Sequence, residues 1–200
     1  GLKEFKTTID SIYCKILSIK NKILSEPYLN FIEKNVPISK VIARIGGNSG
    51  LTEEFLYLQI QNKMPKDYRV LTGSTDFTQD LHIGRYKHPT KSDKLITIVE
   101  DKSVIHVVRK GKAGTVSYFD KGKYTINDDA YLLYVKDEYV NKVDLKWIIH
   151  QLKPIFLEYS SSADNGTWNM TGFFKNVSID IPSQEEQTKI ISKYQRLDEL

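Results

Sequence analysis

Cysteine occurs once in these 200 residues, as Cys14, so an intrachain disulfide and a thiolate zinc cluster are both excluded. Such sparing use fits a reducing cytoplasm. The four histidines, His82, His88, His106 and His150, show no paired spacing that would suit a metal. No apolar run approaches the ~18 residues of a membrane helix. The opening GLKEFKTTID lacks the charged-then-apolar layout of a secretory signal. Also missing are a Gly-x-Ser-x-Gly elbow, a phosphate loop ending in Gly-Lys-Ser/Thr, and the glycine-rich and Asn/Asp-Pro-Pro-aromatic motifs of methyl transfer. The catalytic inventory is nearly empty: no catalytic residue, no metal and no cofactor is expected.

One pattern keeps an enzymatic alternative open. Asp80 followed by Glu100-Asp101-Lys102 loosely matches the acid…acid-x-Lys layout with which Mg²⁺-dependent nucleases hold metal and activate water. Against it, Asp101 and Lys102 read as a tight turn between strands Leu95–Val99 and Val104–Val108.

What is present is an uneven charge. Net charge is +4, yet residues 36–123 carry 15 basic against 9 acidic side chains, and residues 124–200 carry 8 against 12. A basic middle beside an acidic end suits a polyanion on one face and a protein partner on another.

The clearest periodicity is N-terminal. Leu2, Phe5, Ile9, Ile12, Ile16, Ile19 and Ile23 alternate steps of three and four, a heptad seam of the kind that packs on another helix. Pro27 ends it. Val36–Ile42 then reads as a short edge strand, Gly46–Gly50 as a loop, and Leu51–Leu56 as the start of a helix capped by Thr52. Strand candidates follow at Tyr68–Leu71, Leu95–Val99, Val104–Val108, Thr115–Phe119, Lys123–Ile126 and Ala130–Val135, as in a curled, mostly antiparallel sheet. Asp144–Tyr159 reads as an amphipathic helix kinked at Pro154, Ser160–Thr171 as a polar loop, and Val177–Ile181 as a strand. Ser183 and Glu186 form a capping box, after which Ile190, Tyr194 and Leu197 continue a second heptad-like helix.

Two stretches offer contacts to a nucleic acid. Arg109-Lys110-Gly111-Lys112-Ala113-Gly114 is a basic, glycine-bearing turn that presents cations and open backbone N–H groups to phosphates, with Lys121 and Lys123 just beyond, around a second turn at Gly122. Residues 68–88 mix hydroxyls, amides and cations able to reach base edges or phosphates: Arg69, Thr72, Ser74, Thr75, Gln79, His82, Arg85, Lys87 and His88.

The order of these segments resembles the specificity subunit of type I restriction–modification systems, and its relatives fused into single-chain restriction–methylation enzymes. The resemblance is carried by R-K-G-K-A-G-T-V-S-Y-F (109–119), Y-T-I-N-D-D-A-Y-L-L (124–133), the Leu/Ile and Phe/Tyr helix at 144–159, and V-S-I-D-I-P-S-Q-E-E-Q-T-K-I-I (177–191). It implies an α+β fold, with a mixed, mostly antiparallel curled sheet and packed helices, flanked by long coiled-coil-forming helices at both ends. The implied organisation is a spacer helix over 1–26, a DNA target-recognition domain over 36–182 and the start of a C-terminal spacer helix over 183–200. Implied partners are double-stranded DNA, a methyltransferase (modification) subunit, a restriction subunit, and a second recognition domain in tandem or as a homodimer. Contacts to DNA would fall on Arg109, Lys110, Lys112, the loop at 68–88 and the loop Asn165-Gly166-Thr167-Trp168-Asn169, with Trp168 either reaching DNA or anchoring its loop in the core. The spacer helices would assemble through Leu2–Ile23 and Ile190, Tyr194 and Leu197. Such a subunit reads sequence and is not itself an enzyme. It would carry two recognition domains, whereas this sequence holds one set.

Overall fold

The computed structural model describes residues 30–62, 65–84, 91, 94–162 and 165–198, together with residues 6, 9, 11, 12, 14, 15 and 18. Ile9 and Ile12 are helical, and each is about half exposed. Leu2, Phe5, Ile16, Ile19 and Ile23 lie outside the described residues, as do Arg85, Lys87 and His88.

The domain begins earlier than Val36. Strand β1 (Phe31–Pro37) pairs antiparallel with β10 (Ser178–Pro182), from Phe31 opposite Pro182 to Pro37 opposite Ser178. The expected strand Val36–Ile42 is broken by a one-turn helix, α1 (Ile38–Val41), before β2 (Ile42–Ile45). Ile38, Val41 and Ile42 are all buried. Their spacing of three and four suits one helical turn, whereas a strand would turn alternate residues outward.

A six-stranded sheet forms the centre, in the order β2-β8-β5-β7-β3-β4. Its other members are β3 (Tyr68–Leu71), β4 (His82–Ile83), β5 (Ile98–Val108), β7 (Val116–Ile126) and β8 (Ala130–Val135). Only β3 and β7 run parallel, so the sheet is mixed and mostly antiparallel.

Two expected pairs of short strands prove to be two long ones. Asp101-Lys102 and Gly122 do not end strands; they form the corner at which β5 and β7 bend together. Asp101 takes φ 55°, the register shifts on both sides of Lys102, and Lys102 stands opposite Gly122. A bulge adds a residue to one strand and bends the ladder without breaking it. Val99 and Val104, from either side of the corner, therefore share a core cluster with Tyr124, Ile126, Ala130 and Leu132. The sheet is curled because of this corner.

Helix α2 (Glu53–Gln61) starts at Thr52, whose Oγ1 accepts the Phe55 N–H at 3.1 Å. Helix α3 (Leu145–Glu158) is capped by Asp144, which accepts the Lys146 N–H at 2.7 Å. It runs through Pro154, which has no N–H for the carbonyl of His150. The Tyr194 hydroxyl donates to that carbonyl at 3.5 Å, and the Tyr194 ring stacks on His150 at 4.1 Å. A short helix, α4 (Met170–Asn176), occupies the end of the expected polar loop; the Asn169 side chain caps it by accepting the Gly172 N–H at 2.9 Å.

The last helix, α5 (Gln184–Asp198), opens at Ser183, whose Oγ accepts the Glu186 N–H at 3.3 Å. Gln187, only 1% exposed, pins it to the domain. Its Nε2 donates to the carbonyls of Lys142 and Pro182 at 2.8 and 2.9 Å, and its Oε1 accepts the Asp144 N–H at 2.8 Å. Ile190 is buried in the core cluster that holds Trp147 and Phe156, and Tyr194 packs against it. Expected as assembly positions, Ile190 and Tyr194 are instead engaged within the domain. The side chain of Leu197 lies outside the described residues.

Candidate nucleic-acid interface

The basic turn is held from two sides. Strand β6 (Lys110–Gly111) pairs with β9 (Gly166–Thr167), placing Lys110 opposite Thr167 and Gly111 opposite Gly166. The Trp168 N–H then donates to the Arg109 carbonyl at 2.8 Å. Gly114 adopts φ 80°, and a Cβ there would meet the Phe156 carbonyl oxygen at 2.6 Å, so this side of the turn admits only glycine. On the other side, the Arg109 N–H donates to the Asp129 carbonyl at 2.8 Å.

Asp129 belongs to the Asn127–Asp129 turn between β7 and β8, closed by the Asn127 side chain accepting the Asp129 N–H at 3.0 Å. Gly47 lies so close that a Cβ would sit 2.2 Å from the Asn127 carbonyl oxygen. Beside it, Asn48 is buried, with its Oδ1 accepting the Thr97 N–H at 2.7 Å and its Nδ2 donating to the Ile126 carbonyl at 2.9 Å.

Thr72 heads the long loop after β3. Its carbonyl accepts from Nε2 of the buried His106 at 2.6 Å, which fixes His106 as the Nε2–H tautomer; Nδ1 has no partner among the described residues. Burial holds the His106 pKa down to about 4, against the rise caused by the Thr72 bond. Beyond it, Asp76 accepts from the Thr78 N–H and hydroxyl at 3.0 and 2.7 Å, which lowers its pKa.

These pieces enclose one open groove of about 510 Å³. Its walls are Asn48, Gly50–Glu53, Thr72–Ser74, Lys110–Gly111 and Asn127–Asp129. The structure thus joins the basic turn, the loop after β3 and, through β9, the loop at 165–167. Lys110, Thr72 and Ser74 line the groove, while Lys112, Thr75, Gln79, Asn165 and Thr167 are exposed.

Other candidates are placed differently. Trp168 does not face solvent: it is 2% exposed and its indole N–H donates to the Phe156 carbonyl at 3.0 Å, so it anchors the loop and cannot reach a base. Arg109 pairs with Asp128 at 3.0 Å and lies 5.7 Å over the Tyr131 ring. Arg69 donates to the Phe77 carbonyl at 3.2 Å and lies over Phe119. His82, half-buried, faces Asp80 at 3.4 Å. Lys121 and Lys123 are exposed by the sheet corner and line neither wall of the groove. Sequence reasoning assigned no contact role to Asn48, Glu53, Asn127, Asp128 or Asp129; the Asn-Asp-Asp run after a strand was the available signal.

The nuclease pattern does not assemble. Glu100 accepts from the Tyr68 hydroxyl at 2.5 Å, Lys102 donates to Asp137 at 2.5 Å, and Asp80 faces His82. Among the described residues no three His, Cys, Asp or Glu side chains converge as metal ligands.

A curled sheet whose turns gather at one polar groove defines a binding domain. Residues 53–200 match the family model described as type I restriction modification DNA specificity domain, and the chain belongs to that family. The family recognises DNA sequence and is not the catalytic part of its system. The fold is similar to the type I restriction-modification S subunit from M. genitalium, with TM-score 0.53 and 16% identity over 87% of this chain and 41% of that one. It is also similar to the HsdS subunit from Thermoanaerobacter tengcongensis, with TM-score 0.60 and 15% identity over 99% and 47%. A third likeness is to a structure describing complex assembly and conformational transition of the type I R-M system, with TM-score 0.59 and 12% identity over 98% and 49%. The chain spans less than half the length of these three. No curated protein matches it.

Proposed function

We propose that this chain is one target-recognition domain of a type I specificity subunit, binding a half-site of duplex DNA and positioning a modification subunit and a restriction subunit over it. The observation that carries the reading is that Thr72–Ser74 and Lys110–Gly111, distant in sequence, line one groove, while Gly166–Thr167 pairs with the same basic turn. Lys112, and Arg109 and Lys110 when freed, supply the phosphate contacts that set register. Ser74, Thr75, Gln79, Asn165 and Thr167 supply short hydrogen-bonding groups for base edges. Lys121, Lys123, Arg69, Thr72 and His82 act at the margins or as supports. A second recognition domain, in tandem or on a second copy, completes the site, and the N-terminal heptad serves as the spacer between them. The place of action is the cytoplasm; no described helix is long and apolar enough to cross a membrane.

The test is binding of the full chain with its modification subunit to a library of duplexes. Enrichment of one short word, lost on exchanging the 72–79 loop, is expected. Equal binding to all duplexes overturns the proposal.

A further inference from the structure

Among the described residues, the groove between the recognition loops is not lined as a basic track. Of its charged lining residues described, Lys110 is the one cation, against Glu53, Asp128 and Asp129. Two of those acids, on the β7–β8 turn, pair with the basic turn. Asp128 accepts from Arg109 at 3.0 Å, and Asp129 stands 3.5 Å from Lys110. The acids are not carried there by floppy chain. The Asx turn at Asn127, the Arg109 N–H on the Asp129 carbonyl, and the close approach of Gly47 and Gly73 fix the backbone beneath them. A Cβ on Gly73 would meet the Asp129 Cβ at 2.7 Å. Lys112, two residues from Lys110, is exposed and has no ion-pair partner among the described residues.

The geometry points to Asp128 and Asp129 as specificity-determining residues: they hold Arg109 and Lys110 away from indiscriminate phosphate contact, so that only a duplex whose other contacts form displaces the carboxylates. This rests on the DNA-reading function proposed above. Phosphate contact by free cations supplies nearly all non-specific affinity and carries no sequence information. A carboxylate that competes for each cation lowers that background and leaves base readout in place. Lys112 provides the unmasked contact, and Lys110 the masked one.

The experiment measures binding of the full chain to a random-sequence duplex across salt concentrations. Lys112→Ala is expected to reduce the salt slope by ~0.9, the loss of one phosphate contact. Lys110→Ala is expected to reduce it by less than half as much. In an Asp129→Asn background, random-sequence affinity rises about two- to fivefold, the scale of one exposed ion pair, and Lys110→Ala then removes a full contact. Glu53→Gln controls for charge alone: it raises affinity but leaves the Lys110→Ala effect as it was. Equal slopes for Lys110→Ala and Lys112→Ala in both backgrounds overturn the inference while the proposed function stands. Absence of duplex binding in the unaltered chain and in every variant overturns both. Should Asp129→Asn melt early, the contrast between Lys110→Ala and Lys112→Ala in the unaltered chain decides.

Discussion

The side of the sheet under the helices and the side bearing the groove are built from different materials. Beneath the helices, Trp147, Phe156, Trp168 and Phe173 are almost wholly buried, with Phe156 stacked on Phe173 at 4.7 Å and Trp168 5.1 Å from Phe173. Around the groove the contacts are made by glycines, short polar side chains and turn hydrogen bonds. Large rings in close contact fix a backbone, because shifting one forfeits many dispersion contacts at once. Short polar side chains on turns can be exchanged at little cost to stability. Trp168 joins the two sides: its ring lies in the aromatic cluster, while its backbone N–H holds the Arg109 carbonyl. Rigidity below the loops allows variation on top of them.

The hardest blow to that contrast is Trp168→Ala, expected to cost about 3–5 kcal/mol in denaturant unfolding and to abolish DNA binding when the anchored loop detaches. A loss below about 1 kcal/mol would show that the ring anchors nothing. Next comes acid. His106 stays neutral in the fold down to about pH 4, whereas the unfolded chain protonates near pH 6.5. The unfolded state therefore binds the extra proton, and stability falls by about 3 kcal/mol as pH drops through that window. Melting curves of His106→Gln should be flatter over the same range; an unchanged slope would remove His106 as the cause. Gln187→Ala strands the Asp144 N–H and two carbonyls and is expected to cost about 2–3 kcal/mol in thermal or chemical melts. On the groove side, Thr75→Ala should stay within about 0.5 kcal/mol in stability and alter only which duplexes are preferred. A melting shift as large as that of Gln187→Ala would erase the distinction between the two sides.

Much of this division could be read in the residues beforehand, and its failures have physical causes. The strands at Tyr68–Leu71 and Ala130–Val135, the cap at Thr52 and the capping Ser183 stand where local chemistry put them. The turns expected at Asp101-Lys102 and Gly122 were corners, because a bulge and a break share the same residues and only the partner strand tells them apart. Ile190 and Tyr194 carry a heptad spacing that would serve a partner helix as well as α3. What decided between them is the carbonyl left open by Pro154 and the ring of His150, which periodicity does not reveal. The basic turn was legible as a run of cations; its acid partners, about twenty residues on, became neighbours only through the β7–β8 turn.

The pairing of β1 with β10 carries a mechanical consequence. The chain enters the domain beside the start of α5, where the Ser183 N–H bonds the Asn30 carbonyl at 2.9 Å. Tension applied between Asn30 and Ser183 falls first on the Phe31–Pro182 end of an antiparallel ribbon, which opens one rung at a time. A pull on the far end of α5 meets the packing of Ile190 and the hydrogen bonds of Gln187 first, and only then this ribbon. None of these residues lines the groove.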